Sequence, residues 1–255
     1  MDELARARGV TAVVDCGVAP GLANLLIGHA EDRFDSLKRA VYFVGGLPRE
    51  RRWPFEYKAP FAPSDVLEEY TRPVHQRIDG QQVTKVALSE PEAFELEGVG
   101  TLEAFNTDGL RSLLSTIEVP TIWEKTLRYP AHAELMRVLA HTGLLDEEAI
   151  ELADGQWVSP RALTSRLLFE HWRLEPGEKE FTALRVEVDG VKNGRAQRLL
   201  GTLFDEGDAG QRQSSMARTT GFPCAIVTRM LLEDHGLAAG VLPHELLGQR
   251  VGMLG

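Results

Sequence analysis

Two hairpin signals constrain the fold of this sequence more than any other feature. In each, Gly-containing dipeptides separate two runs in which apolar and polar residues alternate: Asp79-Gly80 between 73–78 and 82–86, and Asp189-Gly190 with Asn193-Gly194 between 181–188 and 196–204. Glycine adopts a positive φ at little cost, so such dipeptides between alternating runs predict β-hairpins. We therefore expect antiparallel strands in the middle and late parts of the chain.

Helical patterns interrupt these strands. Segments with helical spacing or capping signals are 2–9, 22–34, 64–70, 108–116, 132–142, 160–172 and 214–236, and short apolar strands are expected at 10–14 and 38–44. Ser64 and Ser159 are predicted N-caps, and Pro160 suits the first helical position. Pro223 predicts a kink or a new start inside the last segment. The pattern favours an α+β fold in which helices cover a largely antiparallel mixed sheet.

Composition narrows the classes of partner. There are 28 Lys+Arg against 38 Asp+Glu, a formal net charge of -10, which disfavours nucleic acids and anionic membranes. Cys16 and Cys224 are too few and too far apart in sequence for a disulfide framework or a zinc site. The charged N-terminus has no apolar core of a signal peptide, and no apolar run is long enough to span a bilayer. We expect a cytoplasmic protein that binds a small molecule.

Several common chemistries have no motif here. The sequence contains no Gly-x-Gly-x-x-Gly after a strand, no Gly-Lys-Ser/Thr loop and no Gly-x-Ser-x-Gly elbow. Gly98-Val-Gly100 lacks the third glycine and the right context. The seven histidines show no metal-binding spacing, so no metal is predicted.

Two polar stretches precede predicted helices in the first half of the chain. Cys16 to Gly21 is a Gly-rich turn whose backbone N–H groups suit an anion or an amide, or it is only a tight connection. A lone Cys16 is more often a small buried residue than a nucleophile. In the stretch 103–109, Thr107 or Asp108 either caps the next helix or offers polar groups to a ligand.

Two further stretches lie in the second half. In 125–132, Arg128 offers a planar fork for a carboxylate, and Tyr129 and His132 can donate protons. The alternative is a surface arginine, a half-buried tyrosine and a histidine in a first helical turn. In 218–223, two hydroxyls and a glycine before a proline suit a phosphate or a nicotinamide, or they cap and kink a helix.

Taken together and in order, six short pieces resemble the saccharopine dehydrogenase-like family of NAD(P)-dependent oxidoreductases. They are 17–24, 45–48, 100–110, 125–132, 219–223 and 240–245. That family includes saccharopine dehydrogenases and reductases, lysine 6-dehydrogenases and carboxynorspermidine-type enzymes. The similarity spans about residues 10–245, and the distances between the pieces look closer to the compact lysine 6-dehydrogenase type.

The resemblance implies a two-domain enzyme. NAD or NADP would bind mainly to an N-terminal Rossmann domain that this sequence lacks. Residues 1–21 would be the end of that domain, 22–213 the substrate-binding and dimerisation domain, and 214–255 a helix and tail that pack back on the Rossmann half. The resemblance also implies a homodimer. Without the Gly-rich loop, we expect the chain alone to be inactive as a dehydrogenase.

The resemblance implies hydride transfer at an amine-bearing carbon of lysine, saccharopine or a related amino acid. Arg128 would bind a substrate carboxylate and Thr107 and Asp108 the amine end, while Tyr129 or His132 would handle protons. The resemblance also implies that Asp108 is a catalytic group. The residues that it implies for binding the cofactor are Cys16, Gly17, Pro20, Gly21, Thr219 and Thr220.

One departure from the family pattern concerns the turn at Ala131. The usual Tyr-Pro-Gly-His is Tyr129-Pro-Ala-His132 here. Alanine adopts a positive φ only at a cost, so either this turn never needed one or the local site differs.

Two other hypotheses for the function stay open: a non-catalytic dimerisation module left after loss of the dinucleotide-binding half, and an unrelated α+β domain that binds a small molecule.

Overall fold

The computed structural model describes residues 1–207, 213–233 and 237–249. Its helices are α1 (Asp2–Ala7), α2 (Leu22–Arg33), α3 (Pro63–Glu69), α4 (Leu113–Thr116), α5 (His132–His141), α6 (Pro160–Trp172), α7 (Ser215–Glu233) and α8 (Glu245–Gly248). Its strands are β1 (Thr11–Val14), β2 (Ser36–Pro48), β3 (Val74–Ile78), β4 (Gln81–Lys85), β5 (Glu92–Leu96), β6 (Gly100–Asn106), β7 (Thr121–Arg128), β8 (Ile150–Glu151), β9 (Trp157–Val158), β10 (Glu180–Lys192), β11 (Arg195–Glu206) and β12 (Gly240–Pro243).

A mixed sheet of eight strands organises the molecule. Its main path runs β11-β10-β2-β7-β3-β4, and the β5-β6 hairpin joins it because β6 pairs with β7. β2 and β7 are parallel, and the other pairs in this sheet are antiparallel. The predicted α+β fold with a largely antiparallel mixed sheet is therefore confirmed.

The hairpin predictions hold with one refinement. Asp79 and Gly80 both have positive φ and connect β3 to β4. In the second hairpin the turn is formed by Asn193 and Gly194, whereas Asp189-Gly190 lies inside β10 at a register shift against β2. The hairpin formed by β5 and β6 had no strand prediction.

The prediction that β2 stops at Gly45 is wrong. The strand continues to Pro48, and its two glycines are needed for close approach rather than for a turn. A Cβ on Gly45 would lie 2.6 Å from the Leu127 carbonyl oxygen, and one on Gly46 would lie 2.5 Å from Met216 Cε. This part of β2 thus packs directly against β7 and α7.

Three apolar clusters surround the sheet. α2 packs on one face through Ala23, Ile27 and Ala30. The opposite face, including Phe43 and Leu127, is covered by the β5-β6 hairpin. The third cluster lies among the helices α3, α5 and α6. Alternation along β2 and β7 therefore sends neighbouring side chains into different clusters.

Several helix predictions need correction. The segment 108–116 is helical only over α4, so neither Thr107 nor Asp108 is a helix cap. Ser64 does not cap α3, since the helix begins one residue earlier at Pro63. The predicted cap at Ser159 is confirmed by its Oγ, which accepts a hydrogen bond from the Ala162 N–H at 3.3 Å.

Two helices bury small and polar side chains in place of their leucines. α2 buries Ala23, Asn24 and Ile27 rather than its leucines. In α5 the buried residues are His132, Ala133 and Met136 rather than the set Leu135, Val138 and Leu139. Both helices pack closely enough that small and polar residues take the buried positions.

The two ends of the described chain meet. β1 pairs in parallel with β12 in a separate two-stranded sheet, and α2 packs against α8. α7 runs through Pro223 as one helix, and its predicted end near Gly236 lies outside the described residues. The proposed division of the chain at residues 21 and 213 stays a prediction.

No helix in the described ranges is long and apolar enough to cross a membrane.

Candidate functional site

A polar cleft opens at the end of β2 and β7. Two adjoining cavities of about 370 and 260 Å³ share the wall formed by Ala19, Pro20, Val44, Phe61, Glu69 and Thr126. We call this space the acidic cleft, because its charged lining consists of Asp65, Glu68, Glu69, Asp108 and Glu124 against Arg72, Arg111 and Arg128. Its size is within the range typical of small-molecule sites.

The structure brings six of the eleven predicted site residues to this cleft. They are Gly17, Pro20, Thr107, Asp108, Arg128 and Thr220. The other five, Cys16, Gly21, Tyr129, His132 and Thr219, do not line it.

Glu124 lies at the floor of the cleft and is 1% exposed. Its Oε1 accepts hydrogen bonds from the Thr107 hydroxyl and the Gly109 N–H, both at 2.8 Å. The Thr107 oxygen in turn lies 2.8 Å from the Thr126 hydroxyl. Burial, with smaller effects of the charges of Glu69 and Asp108, raises the pKa of Glu124 to about 8, although these hydrogen bonds act to lower it.

The Gly-rich loop before α2 borders the cleft, and three N–H groups in and next to it are already used. The Gly17 N–H binds the Pro20 carbonyl at 3.1 Å, and the Gly21 N–H binds Asn24 Oδ1 at 3.1 Å. The Leu22 N–H binds the Gly17 carbonyl at 2.9 Å. Whether the remaining N–H groups of this loop bind an anion stays a prediction.

Arg128 lies at the inner end of the cleft, 2% exposed. Its Nε donates to the Tyr70 hydroxyl at 2.9 Å, and its Nη2 lies 3.6 Å from Glu69 Oε2. The guanidinium also stacks over the Tyr57 ring, 4.5 Å from its centroid. Burial raises the pKa of Glu69 to about 7, although Arg128 acts to lower it.

Arg111 is the cation at the mouth of the cleft and is exposed. It makes no hydrogen bond or ion pair with the residues that the structure describes. Arg72, by contrast, is paired with Glu68 one turn earlier in the same segment. Arg111 is therefore available to a negatively charged group of a ligand.

Asp108 is held by the strand beside it. Its Oδ1 accepts the His75 backbone N–H at 3.1 Å and lies 3.1 Å from His75 Nδ1. The carboxylate lines the cleft while this contact fixes its position.

His132 lies behind Arg128, away from the cleft. The Tyr70 hydroxyl donates to its Nε2 at 2.9 Å, and its Nδ1 donates to the Phe55 carbonyl at 2.9 Å. Burial, with the charge of Arg128, lowers the pKa of His132 to about 3. A neutral, enclosed imidazole does not handle substrate protons here; it orients Tyr70 and, through it, Arg128.

Tyr129 points to the other face of the sheet. Its hydroxyl donates to the Pro48 carbonyl at 2.8 Å, and its ring belongs to the cluster under the β5-β6 hairpin. The predicted grouping of Arg128 with Tyr129 fails because neighbouring residues of an extended segment face opposite sides. Ala131 has φ 75°, so this turn does require the left-handed conformation that glycine favours.

The remaining predicted cofactor residues differ in their surroundings. Thr219 donates to the Ser215 carbonyl of its own helix at 2.9 Å and lines a separate apolar cavity. Thr220 lies at the edge of the cleft. Burial and the nearby Cys224 raise the pKa of the Cys16 thiol to about 11, which disfavours a reactive thiolate.

Sequence reasoning missed Glu69, Arg111 and Glu124. A signal for Glu124 exists, because it shares the strand parity of Ile122 and Thr126 and therefore faces inward. Glu69 and Arg111 have no comparable signal, since a helix end and a loop place them. Among the described residues, no group of three or more acidic, histidine or cysteine side chains is arranged to hold a metal ion.

The fold is an α+β domain with a polar cleft at one end of its mixed sheet. The chain belongs to the saccharopine dehydrogenase C-terminal domain family, whose model matches residues 17–252. The resemblance in the sequence pieces is thereby confirmed.

Two curated proteins are similar over almost the whole chain. Alpha-aminoadipic semialdehyde synthase of Arabidopsis thaliana is 22% identical over 326 residues, which is 95% of this chain and 31% of that protein. Carboxynorspermidine synthase of Vibrio cholerae is 23% identical over 253 residues, which is 94% of this chain and 58% of that protein. The chain thus spans less than two thirds of either relative.

Two solved structures share the fold. Apo saccharopine dehydrogenase (L-Glu forming) of Saccharomyces cerevisiae superposes with TM-score 0.77 at 19% identity, covering 97% of this chain and 71% of that one. Homospermidine synthase of Legionella pneumophila, solved in complex with NAD, gives TM-score 0.57 at 12% identity, covering 94% and 60%.

Proposed function

We propose that this chain is the substrate-binding portion of an NAD(P)-dependent dehydrogenase that oxidises or reduces a C–N bond of lysine, saccharopine or a related amino acid. One observation carries the proposal: the acidic cleft places an enclosed cation, Arg128, and an enclosed carboxyl, Glu124, on the same face of β7. An amino acid presents the complementary charges, a carboxylate and an ammonium group.

The ends of the cleft suit the two ends of such a ligand. Arg111 and Arg128 are the groups that would bind carboxylates, because guanidinium forks match carboxylate geometry. The acidic side chains around Thr107 would bind the amine. With five acidic and three basic side chains in its lining, the cleft favours a ligand that contributes positive charge.

The residues present fit only the ring end of a nicotinamide cofactor. The flank of the cleft formed by Gly17, Pro20, Val44 and Thr220 is mostly apolar and could border a flat ring. A pyrophosphate needs several free N–H or cationic donors, and the Gly17, Gly21 and Leu22 N–H groups before and at the start of α2 are already used. When bound, the nicotinamide would accept or supply the hydride. We propose that the main dinucleotide contacts lie outside this chain, and NAD versus NADP stays open.

The first test is calorimetric titration of the chain with L-lysine and with saccharopine, followed by the variants Arg128→Ala and Arg111→Ala. We expect one of the two ligands to bind, and each variant to lose about 10- to 100-fold in affinity, the value of a charged hydrogen bond. Arg198→Ala, on the surface strand β11, is the matched control and should bind as the wild type does.

The second test joins this chain to a dinucleotide-binding domain of the family and follows the absorbance of reduced nicotinamide. Substrate-dependent turnover would support the dehydrogenase. Binding of neither ligand, with turnover absent, would refute the proposal and favour a non-catalytic dimerisation module. A homodimer formed through the sheet and a cytoplasmic location remain predictions for the assembled protein.

A further inference from the structure

Glu124 stands apart from the other carboxylates of the acidic cleft. Oε1 is occupied by Thr107 and Gly109, but no described residue donates a hydrogen bond to Oε2. The side chain is 1% exposed and lines the cavity, so Oε2 is the atom that a ligand would meet. Oε2 is not one of the fully enclosed polar atoms that lack a partner, so it meets the open space of the cleft, where an N–H group of a ligand can donate to it.

Three of the other four acidic side chains of the cleft already have a partner, and the fourth, Asp65, is exposed. Glu69 faces Arg128, and Glu68 is paired with Arg72. Asp108 contacts His75, and the Tyr42 hydroxyl donates to the Gly109 carbonyl at 2.7 Å.

This leaves Glu124 as the enclosed acid in the described cleft that has no cation of its own. Arg111, which is unpaired, lies on the exposed connection after Asp108 rather than against Oε2.

We propose that Glu124 binds the ammonium group of the substrate through Oε2 and takes one proton from it before the C–N bond reacts. The proposal rests on the proposed function and deepens it, since it assigns the amine end of the ligand to one atom. Because Thr107 and Gly109 fix Oε1, the carboxylate presents Oε2 in a single orientation.

The proton step balances without any further reactant. One N–H bond of the ammonium breaks and its electron pair stays on nitrogen, while the proton forms a bond to Oε2. The products are a neutral amine, whose lone pair can assist removal of hydride from the adjacent carbon, and a neutral carboxyl group. Thr107 and the Gly109 N–H keep Oε1 hydrogen-bonded in both states.

The raised pKa of Glu124 predicts that ligand affinity depends on pH. With a pKa of about 8, Glu124 is mostly protonated at pH 7, so an ammonium ligand must displace its proton. Binding at pH 7 should therefore release close to one proton. Affinity should rise about tenfold per unit between pH 6 and pH 7.5 and level off above about pH 8, while the ligand amine stays charged. Glu69, with its lower pKa of about 7, would give a lower midpoint.

The experiment is calorimetric titration in two buffers of different ionisation enthalpy, which counts released protons. The probes are L-lysine, L-norleucine, which lacks only the side-chain ammonium, and butylamine, which carries only an ammonium. The variant is Glu124→Gln, which keeps the acceptor for Thr107. Glu180→Gln is the matched control, because Glu180 is also a buried carboxyl with a pKa raised by burial but lies outside the cleft.

For the wild type we expect lysine to bind at least 10-fold more tightly than norleucine, with proton release. Glu124→Gln should remove both the preference and the release, and Glu180→Gln should keep both. Unfolding by urea and circular dichroism should show that both variants are folded.

The possible results distinguish the role of Glu124 from the proposed function. Lysine binding with unchanged proton release in Glu124→Gln overturns the role of Glu124 while the proposed function stands. Butylamine binding that depends on Glu124, without binding of lysine or saccharopine, supports the ammonium site and refutes the proposed substrates. Failure of these three probes and of saccharopine to bind the wild type overturns both.

Discussion

Replacement of Gly28 by alanine tests how the end of the chain is held against α2. A Cβ on Gly28 would lie 2.0 Å from the Glu245 carbonyl oxygen, and one on Gly248 would lie 2.1 Å from the Leu25 carbonyl oxygen. Real Cβ contacts shorter than 3.0 Å are essentially absent, so α2 and α8 would have to separate by at least about 1 Å.

The expected change in the free energy of unfolding combines one stabilising effect with two destabilising ones. Alanine favours a helix interior by about 1 kcal/mol over glycine. Overpacking at a rigid backbone contact costs about 1–3 kcal/mol. Moving α8 also strains the hydrogen bonds that the buried Glu245 carboxylate accepts from Asn24 and Thr116, which are worth about 1–3 kcal/mol when broken. We expect Gly28→Ala to lower the free energy of unfolding by about 2–3 kcal/mol.

The assay is urea unfolding followed by circular dichroism, with Gly221→Ala as the matched control. Gly221 lies in α7 and a Cβ there would meet nothing within 4 Å. This variant should therefore raise the free energy of unfolding by about 0.5–1 kcal/mol. If both variants stabilise the protein alike, the close approach of α2 and α8 is refuted.

Three further predictions concern the region around Arg128. Ala131→Gly should raise the free energy of unfolding by about 1 kcal/mol, since residue 131 has φ 75°; no gain in urea would contradict the left-handed turn. His132 has a pKa of about 3 in the fold against 6.5 when unfolded, so the unfolded chain binds more protons between these values. Wild-type stability should therefore fall relative to His132→Gln as pH drops below 6.5, by up to about 1.4 kcal/mol per unit; parallel profiles would refute this. Tyr70→Phe should weaken carboxylate binding about 10-fold in titration and leave butylamine binding unchanged, because Tyr70 orients Arg128; an equal loss for both ligands would contradict that role.

Features set by local chemistry were predictable from the sequence. Asp79-Gly80 forms its turn from the conformational freedom of glycine, and Ser159-Pro160 starts a helix as its capping groups require. Thr107, Asp108 and Arg128 were selected as members of polar stretches, and the structure gathers all three in one cleft, although the helix predicted to begin at 108 begins only at Leu113.

Features set by contacts between residues far apart in the sequence were not predictable. Gly45 reads as a strand end, yet it is required by the Leu127 backbone of another strand. His132 reads as an available proton donor until Tyr70 and Phe55 close over it. Glu124 becomes prominent only when the loop at Gly109 folds onto it, and no local pattern specifies that contact.

The pairing of β1 with β12 affects which part of the protein unfolds locally first. It joins segments from near opposite ends of the sequence, so its loop-closure entropy is large and it should form late in folding. Neither α1 nor β1 buries a residue fully, so few contacts protect their amides from exchange with solvent. The loop that follows β1 and carries Gly17 and Pro20 is thus anchored on one side by a weakly protected pair. We expect hydrogen exchange to show that this wall of the cleft opens by itself while the floor formed by β7 stays closed.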